Sequence, residues 1–322
     1  VSFFKGNRRI SLVANFNNIN QQNFGSQDLL GVTSSGGRGG GMRGGGRSGF
    51  GGGDNFMVGQ SNGISRTSAF GINYSDKWGK KTTVSGSYFF NNSKNVNEYD
   101  VLAQTLNQRL NKWYNDNSQG STTTFNSNHR INLRAEIKLD SNNSIFIIPS
   151  ISFQTNSANG YSSGQSFYAV NDSLNSSVSL TDRNSNGYNI RNNIMYRHSF
   201  PKKGRTFSVG FNTTFTKNSS ENILDAAYRF YRSGAGFDSL ANRFTDNLMN
   251  GNTIGGTIAY TEPIGKNAIL QLEYNPSVQK NKADQQTFEE ENGKYSVFNP
   301  LLSNKFDNTV RTHNAGVSYR YN

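Results

Sequence analysis

The sequence predicts an all-β protein built from antiparallel strands, because polar and apolar residues alternate along most of its 322 residues. Between residues 130 and 139 every odd position is apolar and every even position is charged or an amide. The same period of two runs through residues 206–216 and 314–321. Successive side chains of a strand point to opposite faces. Each strand is therefore expected to present one face to an apolar environment and the other to water.

Composition agrees with strands that have two unlike faces. Only 33% of the residues are hydrophobic, which is little for a compact core, but 23 Phe and 15 Tyr are many for a disordered chain. The absence of cysteine excludes disulfide bonds and thiolate metal sites. No apolar run approaches ~18 residues, so the sequence does not predict a membrane-spanning helix.

About ten strands are predicted, one for each stretch of alternation. In chain order they are residues 8–17, 64–75, 81–92, 130–139, 144–154, 187–199, 206–216, 252–262, 267–279 and 314–321.

The connections between these strands indicate the architecture. Four are tight turns, at residues 75–81, 140–144, 200–205 and 262–267. Five are long, at residues 18–62, 93–121, 156–186, 218–250 and 280–308. Tight and long connections alternate strictly, which is typical of an antiparallel transmembrane β-barrel with short periplasmic turns and long extracellular loops.

The length of the alternating stretches fits a membrane barrel. Ten residues at ~3.3 Å each span ~33 Å, and a tilt of ~45° reduces this to ~23 Å, close to the ~25 Å apolar band of such barrels. A soluble antiparallel sheet is the alternative.

The two faces of the predicted barrel carry different residues. The lipid-facing side is expected to include Ile131, Leu133, Phe211, Val317 and Tyr319. Aromatic residues near the tight turns fit an interfacial girdle, namely Tyr74, Trp78, Phe200, Phe207, Tyr260 and Tyr321. The predicted lumen-facing polar residues are Arg130, Arg134, Glu136, Lys138, Gln271 and Glu273.

The chain is expected to be a section of a larger barrel. Its opening residues, FFKGNRR, have the make-up of the tight turns, and turn centres recur about every 62 residues, near 6, 79, 141, 203 and 265. Small inward positions, among them Gly71, Ser87 and Gly210, would leave a narrow barrel underfilled. Residues 1–322 are therefore predicted to be a partial barrel domain, an open sheet with edge strands near residues 8–17 and 309–321.

A glycine-rich tract with three arginines, Arg38, Arg43 and Arg47, lies between the first two predicted strands. Alone it resembles the RGG segments that hold single-stranded nucleic acid, and the net charge of +12 agrees with that. Because strands tether it at both ends, residues 31–55 are predicted instead to be an extracellular loop that touches lipopolysaccharide. No nucleic-acid partner is expected.

Three further motifs carry weaker predictions. Asp182, Asn184 and Asn186 match the first half of a calcium loop, but position twelve is Asn193 rather than a bidentate Glu, so an Asx-rich turn is favoured. Apolar residues at helical spacing predict a short helix within residues 99–113. Asn292-Gly293 predicts a type I′ hairpin tip.

Catalysis is not predicted. The three histidines, His129, His198 and His313, share the parity of the apolar face and so are expected to point outward, where no substrate pocket forms. No catalytic residue and no cofactor is assigned. The alternative is a closed ten-stranded barrel acting as a surface hydrolase or adhesin.

Two stretches carry a family resemblance, RRISLVANFNNINQQNFGSQDLLGVTSSGGRGGG and GINYSDKWGKKTTVSGSYFFNNSKN. They resemble the barrel region of Bacteroidetes-type outer-membrane β-barrel proteins related to TonB-dependent receptors. The resemblance implies a barrel of about 22 strands in the cell outer membrane, which binds or imports an external ligand with a plug domain and the TonB system as partners. Neither the plug nor a TonB-contacting segment is matched within this chain.

Overall fold

The computed structural model of the protein describes residues 1–18, 62–168, 172–231, 236–265 and 267–321, which form one antiparallel sheet. No helix among these residues is long and apolar enough to cross a membrane. The described ranges contain twelve strands and no helix, which confirms the predicted all-β fold. The strands are β1 (Ser2–Lys5), β2 (Arg8–Asn17), β3 (Ile64–Trp78), β4 (Thr82–Asn107), β5 (Lys112–Lys138), β6 (Asn143–Phe167), β7 (Ser173–Ser199), β8 (Thr206–Phe230), β9 (Phe237–Ile264), β10 (Ala268–Glu291), β11 (Lys294–Phe298) and β12 (Asn304–Tyr321).

Tight turns close one end of the sheet, here called the turn end. Glycines occupy positive φ values of 60–89° at residues 6, 79, 204 and 265, a conformation that residues with a Cβ rarely adopt. In the remaining turn, Asp140 Oδ1 accepts hydrogen bonds from the backbone N of Asn142 and Asn143, both at 2.8 Å. The side-chain amide of Asn143 and these backbone donors hold the pKa of Asp140 below its usual range. The predicted turn centres are confirmed.

The opposite end, here called the outer end, differs from the prediction. Strands β4 to β10 are 24–28 residues long, and most of residues 93–121, 156–186, 218–250 and 280–308 are strand rather than loop. Residues 99–107 pair with residues 112–120, so the helix predicted at 99–113 is wrong. Asn, Ser and Thr occupy both faces of many of these extensions, so no polar–apolar alternation marks them. The backbone ladder nevertheless continues outward, because each N–H and C=O needs a partner.

Two further sequence predictions concern this end of the sheet, a hairpin tip and the glycine-rich loop. Asn292 and Gly293 have φ values of 53° and 76°, which confirms the hairpin tip. The glycine-rich loop at 31–55 lies outside the described residues.

The strand order is sequential from β1 to β10, and the last two strands both lie along β10. A loop at residues 299–303 separates β11 from β12. Asn299 N donates to Thr287 O at 2.8 Å, and Thr287 N donates to Ser303 Oγ at 3.0 Å, so the loop stays attached to β10. Strands β11 and β12 are thus one interrupted strand. Together with the short β1, this explains twelve strands where about ten were predicted.

Burial differs between the two faces of the sheet, which indicates that it curves toward the more buried face, here called the concave face. The register gives this face the even-numbered residues of β5, β6, β8 and β12 and the odd-numbered residues of β3, β4, β7, β9 and β10. Side chains on the inside of a curve are crowded by their neighbours, whereas those on the outside diverge. Eight of the nine buried polar residues in the described chain lie on this face: Thr67, Ser87, Ser93, Asn126, Asn128, Ser152, Asn189 and Thr287.

The sheet does not close on itself within the described residues. Strand β12 pairs with β10 alone, and residues 13–17 of β2 pair with β3 alone. The predicted open sheet and its edge at residues 309–321 are confirmed, whereas at the other edge β1 covers residues 8–11 and leaves only residues 13–17 of β2 at the edge.

Candidate functional site

The candidate site is the polar concave face of the sheet. Hydrogen bonds link its side chains across strands: Asn132 Nδ2 donates to Ser87 Oγ at 3.3 Å, and Ser150 Oγ donates to Asn132 Oδ1 at 2.8 Å. Further toward the outer end, Gln154 Nε2 donates to Asn126 Oδ1 at 2.8 Å. Amides and hydroxyls therefore form hydrogen-bonded groups across this face, which can hold water or a polar ligand.

The six predicted lumen residues all lie on the concave face, in two separate groups. Strand β5 carries Arg130, Arg134, Glu136 and Lys138, and β10 carries Gln271 and Glu273, with four strands between them. Arg134 lies over the Phe146 ring, 5.8 Å from its centroid. Asn275 Nδ2 donates to Glu273 Oε1 at 2.7 Å, and Gln271 Nε2 lies 3.5 Å from Glu273 Oε2. The fold does not bring the two groups into one cluster.

A cavity of about 580 Å³ lies between these groups, on β6 to β10 and the start of β12. Its concave-face lining includes Gln154, Asn156, Arg183, Arg191, Thr216 and Gln279. No carboxylate of the described residues lines it. Arg130 on β5 and Arg191 on β7 lie on the same face on either side of β6, so positive charge also lies on the β5 side of the cavity. The cavity can thus accept an anionic or hydroxyl-rich group.

Sequence reasoning missed the cavity arginines. Arg183 lay in a predicted loop, and Arg191 lay in a predicted strand without being singled out. Both arginines are at odd positions of β7, so the alternation puts them on the polar face when the strand is extended to Ser173. The cross-strand register that joins them to β6 and β8 cannot be read from one strand.

The opposite, convex face carries an apolar band next to the turn end. On β5 the band runs through Ile131, Leu133 and Ile137, and on β8 through Phe211 and Phe215. Leu133 is 47% exposed and Phe211 is 49% exposed, as expected for side chains that meet lipid rather than protein.

Tyrosines and charged residues anchor the band at the turn end. Glu262 accepts hydrogen bonds from Arg205 Nε, Arg205 Nη2, Lys202 Nζ and Tyr260 OH, each at 2.7 Å. A similar group surrounds Asp76, which accepts from Arg8 Nε at 2.9 Å and from a tyrosine hydroxyl at 3.1 Å. In both groups a basic residue just after a tight turn contacts the end of the neighbouring strand. Such polar aromatic clusters suit a membrane–water boundary.

The calcium candidates lie in a strand rather than in a calcium-binding loop. Asp182, Asn184 and Asn186 lie at alternate positions of the extended strand β7, so the favoured Asx-rich turn is also wrong. Asn184 Nδ2 donates to Asp182 Oδ1 at 3.3 Å, and the extended backbone of these residues does not form the turn of a calcium loop. The part of the chain that the structure describes contains no cluster of three or more His, Cys, Asp or Glu residues suited to a metal.

All three histidines lie on the convex face, as their parity predicted. His129 Nδ1 is 2.9 Å from the Tyr88 hydroxyl, and His313 Nδ1 is 2.7 Å from the Tyr274 hydroxyl. His198 Nδ1 lies 2.7 Å from Asn143 Oδ1. Each imidazole thus has a polar partner away from the cavity.

The curved antiparallel sheet, with one polar and one apolar face, defines the class as a β-barrel protein of the outer membrane. Residues 198–322 match the model of an outer membrane protein beta-barrel family, a match that runs from the end of β7 through β12. The protein is located in the cell outer membrane. No curated protein matches the sequence.

Proposed function

We propose that the protein is a receptor of the TonB-dependent type, which binds an external ligand at the cell surface and takes part in its import. The observation that carries this proposal is the polar concave face with its basic cavity, on a sheet that ten long strands leave open. A barrel that continues beyond these strands has a wide lumen, since diameter grows with strand number. Such a lumen accommodates a plug, water and a ligand.

The proposed partners follow from the same arrangement. The apolar band contacts outer-membrane lipid, the concave face contacts a plug domain and the external ligand, and the TonB system supplies energy. We expect no nucleic-acid partner. We also expect no catalysis by the histidines, because all three are on the face turned away from the cavity. The alternative of a closed ten-stranded hydrolase or adhesin is not favoured, since β2 and β12 do not pair with each other in the described residues.

The test is a growth comparison in the native host with external nutrients supplied singly at limiting concentration. Strains lacking the gene and strains lacking TonB are compared with the wild type and with a complemented strain. We expect at least one nutrient whose uptake requires both the protein and TonB. Uptake of every nutrient at wild-type rates without the gene, or uptake that persists without TonB, would contradict the proposal.

A pair of variants of the full-length protein connects that phenotype to the cavity. Replacing Arg183 and Arg191 with alanine should reduce uptake of the identified nutrient, because both side chains line the cavity. The matched control is Arg229→Ala, since Arg229 lies on the convex face near the outer end and contacts Asp238 at 3.6 Å. Equal losses in both variants would argue against a ligand in the cavity.

A further inference from the structure

Positive charge on the concave face is concentrated on β5 and β7, the two neighbours of β6. The residues, here called the cation track, are Arg130, Arg134 and Lys138 on β5 and Arg183, Arg191 and Arg197 on β7. The concave faces of β4, β6 and β8 carry no charged residue in the described ranges. The track is therefore a basic strip between uncharged strands, and it extends from the cavity to the turn end.

Other cations of this face lie apart from the track. Lys112 and Arg243, both near the outer end, contact carboxylates at 3.1 and 2.9 Å. Arg9, Lys77 and Arg320 lie near the turn end of β2, β3 and β12. None of these residues is on a strand next to the cavity except Arg243, whose charge is neutralised by Glu289.

Carboxylates neutralise little of the cation track. Between Arg183 and the turn end, Glu136 is the only carboxylate that the described chain places on the concave face of β5, β6 and β7. Six cations and one carboxylate leave a net charge of +5. Lys138, Arg183 and Arg197 are exposed and form no ion pair with another described residue. Because like charges on one face repel one another, this arrangement favours a bound anion.

The first pair of facing cations lies at the edge of the cavity. Arg130 is paired with Ser152 and Arg191 with Ser150, so the two arginines flank β6 on opposite sides. Neighbouring strands are ~4.8 Å apart, which puts the two arginine backbones ~10 Å apart. The serines between them are too short to fill this gap. Two guanidinium groups can therefore reach one anion from both sides and bind it with paired hydrogen bonds.

A second pair repeats this arrangement at the turn end. Lys138 and Arg197 are both paired with Ser144, again on opposite sides of β6. Ser144 is six residues from Ser150, which corresponds to ~20 Å along the strand. Arg134 lies between the two pairs on the same face of β5. An anion that leaves the first pair thus meets further cations before it reaches the turn end.

We propose that the ligand is a small polyanion, a compound with two or more carboxylate or phosphate groups, which Arg130 and Arg191 bind and which moves along the cation track. The two guanidinium groups neutralise the anion, and their charge-assisted hydrogen bonds supply the affinity. Lys138 and Arg197 attract the anion from the first pair toward the turn end. The direction of movement rests on the proposed function, whereas the binding of the anion does not.

The binding test uses the full-length protein in mild detergent with radiolabelled citrate or inorganic pyrophosphate, by equilibrium dialysis at low salt. Replacing Arg130 and Arg191 with glutamine should raise the Kd roughly a hundredfold, since each charge-assisted contact contributes about a factor of ten. Arg130→Lys/Arg191→Lys keeps both charges and should bind more tightly than the glutamine variant, which shows that the fold tolerates substitution there. Arg243→Gln is the matched control, because this arginine lies on the same face and already contacts Glu289.

The choice of probe identifies the recognised groups. Binding of citrate alone would assign carboxylates, and binding of pyrophosphate alone would assign phosphates. No binding of either anion by the wild type would overturn the proposal, and so would equally tight binding of uncharged glucose. Unchanged binding in the glutamine variant, or an equal loss in Arg243→Gln, would exclude the two arginines as the site.

Uptake of the bound anion by cells of the native host tests the rest of the track. Lys138→Gln/Arg197→Gln should leave the Kd of the purified protein unchanged and lower the uptake rate at saturating anion, because only the second pair is altered. An unchanged rate would refute movement along the track. If the anion binds but its uptake does not require TonB, the receptor proposal fails and the anion site stands. TonB-dependent uptake by a protein that binds neither anion would leave the receptor proposal intact and overturn this one.

Discussion

Replacing Leu133 with arginine tests the assignment of the convex face to lipid. Leu133 is the third of five convex residues in the band on β5, which begins at His129 and ends at Ile137, so it lies near the middle of the apolar layer. Its side chain is 47% exposed and partly covers Gly86 on β4. Arginine at the midplane of a transmembrane barrel costs about 2–4 kcal/mol. The equilibrium constant for folding should therefore fall roughly 30- to 900-fold.

The assay is urea-dependent folding of the full-length protein in phospholipid vesicles, followed by electrophoretic mobility and tryptophan fluorescence. The matched control is Asn132→Arg, one residue away on the concave face. The Asn132→Arg substitution removes the hydrogen bonds with Ser87 and Ser150, but water can replace them. The expected loss of folding free energy is therefore about 1 kcal/mol. Equal destabilisation by both variants would refute the assignment of the two faces.

Three further predictions address orientation, packing and titration. Cysteine at Gly293 should react with an impermeant thiol reagent on intact cells and cysteine at Lys203 should not; the reverse would invert the orientation. Gly71→Val should destabilise the sheet by about 1–3 kcal/mol in the same urea assay, because a Cβ there would lie 2.5 Å from a buried aromatic ring; wild-type stability would contradict this packing. Burial and the hydrogen bond to Asp225 raise the pKa of Tyr295 to about 12. The stability that Tyr295 gives to the hairpin of β10 and β11 should therefore be complete below pH 10 and disappear between pH 10 and 12. Absorbance titration against Tyr295→Phe measures this, and a tyrosine that titrates near pH 10 would refute it.

Alternation in the sequence was sufficient to predict the part of the sheet within the membrane. Lipid on one side and water on the other impose a period of two, so residues 130–139 and 206–216 show their strands and faces directly. The turns could be predicted for a related reason, since Gly79 and Gly265 mark the left-handed backbone that a tight reversal needs. The parity of Arg130 and Glu136 was correct because it depends on one strand alone.

The outer half of the sheet could not be predicted in the same way. Residues 99–113 carry apolar side chains at helical spacing, and the local pattern favoured a helix. The paired strands β4 and β5 already supply hydrogen-bond partners to the backbone of these residues, and that non-local pairing overrides the local pattern. The calcium motif was misleading for the same reason, because Asp182 and its neighbours have extended backbones held by β6 and β8.

The sequence alone determined that the chain forms antiparallel strands with one polar and one apolar face, because that information repeats every two residues. Only the tertiary structure decided which residues of different strands meet. The basic cavity around Arg183 and Arg191 depends on the relative shift of neighbouring strands. A shift of two residues preserves every face yet moves side chains by ~6.6 Å, so parity cannot specify it. Hydrogen bonding along the whole ladder fixes the shift, and with it the position of each charge.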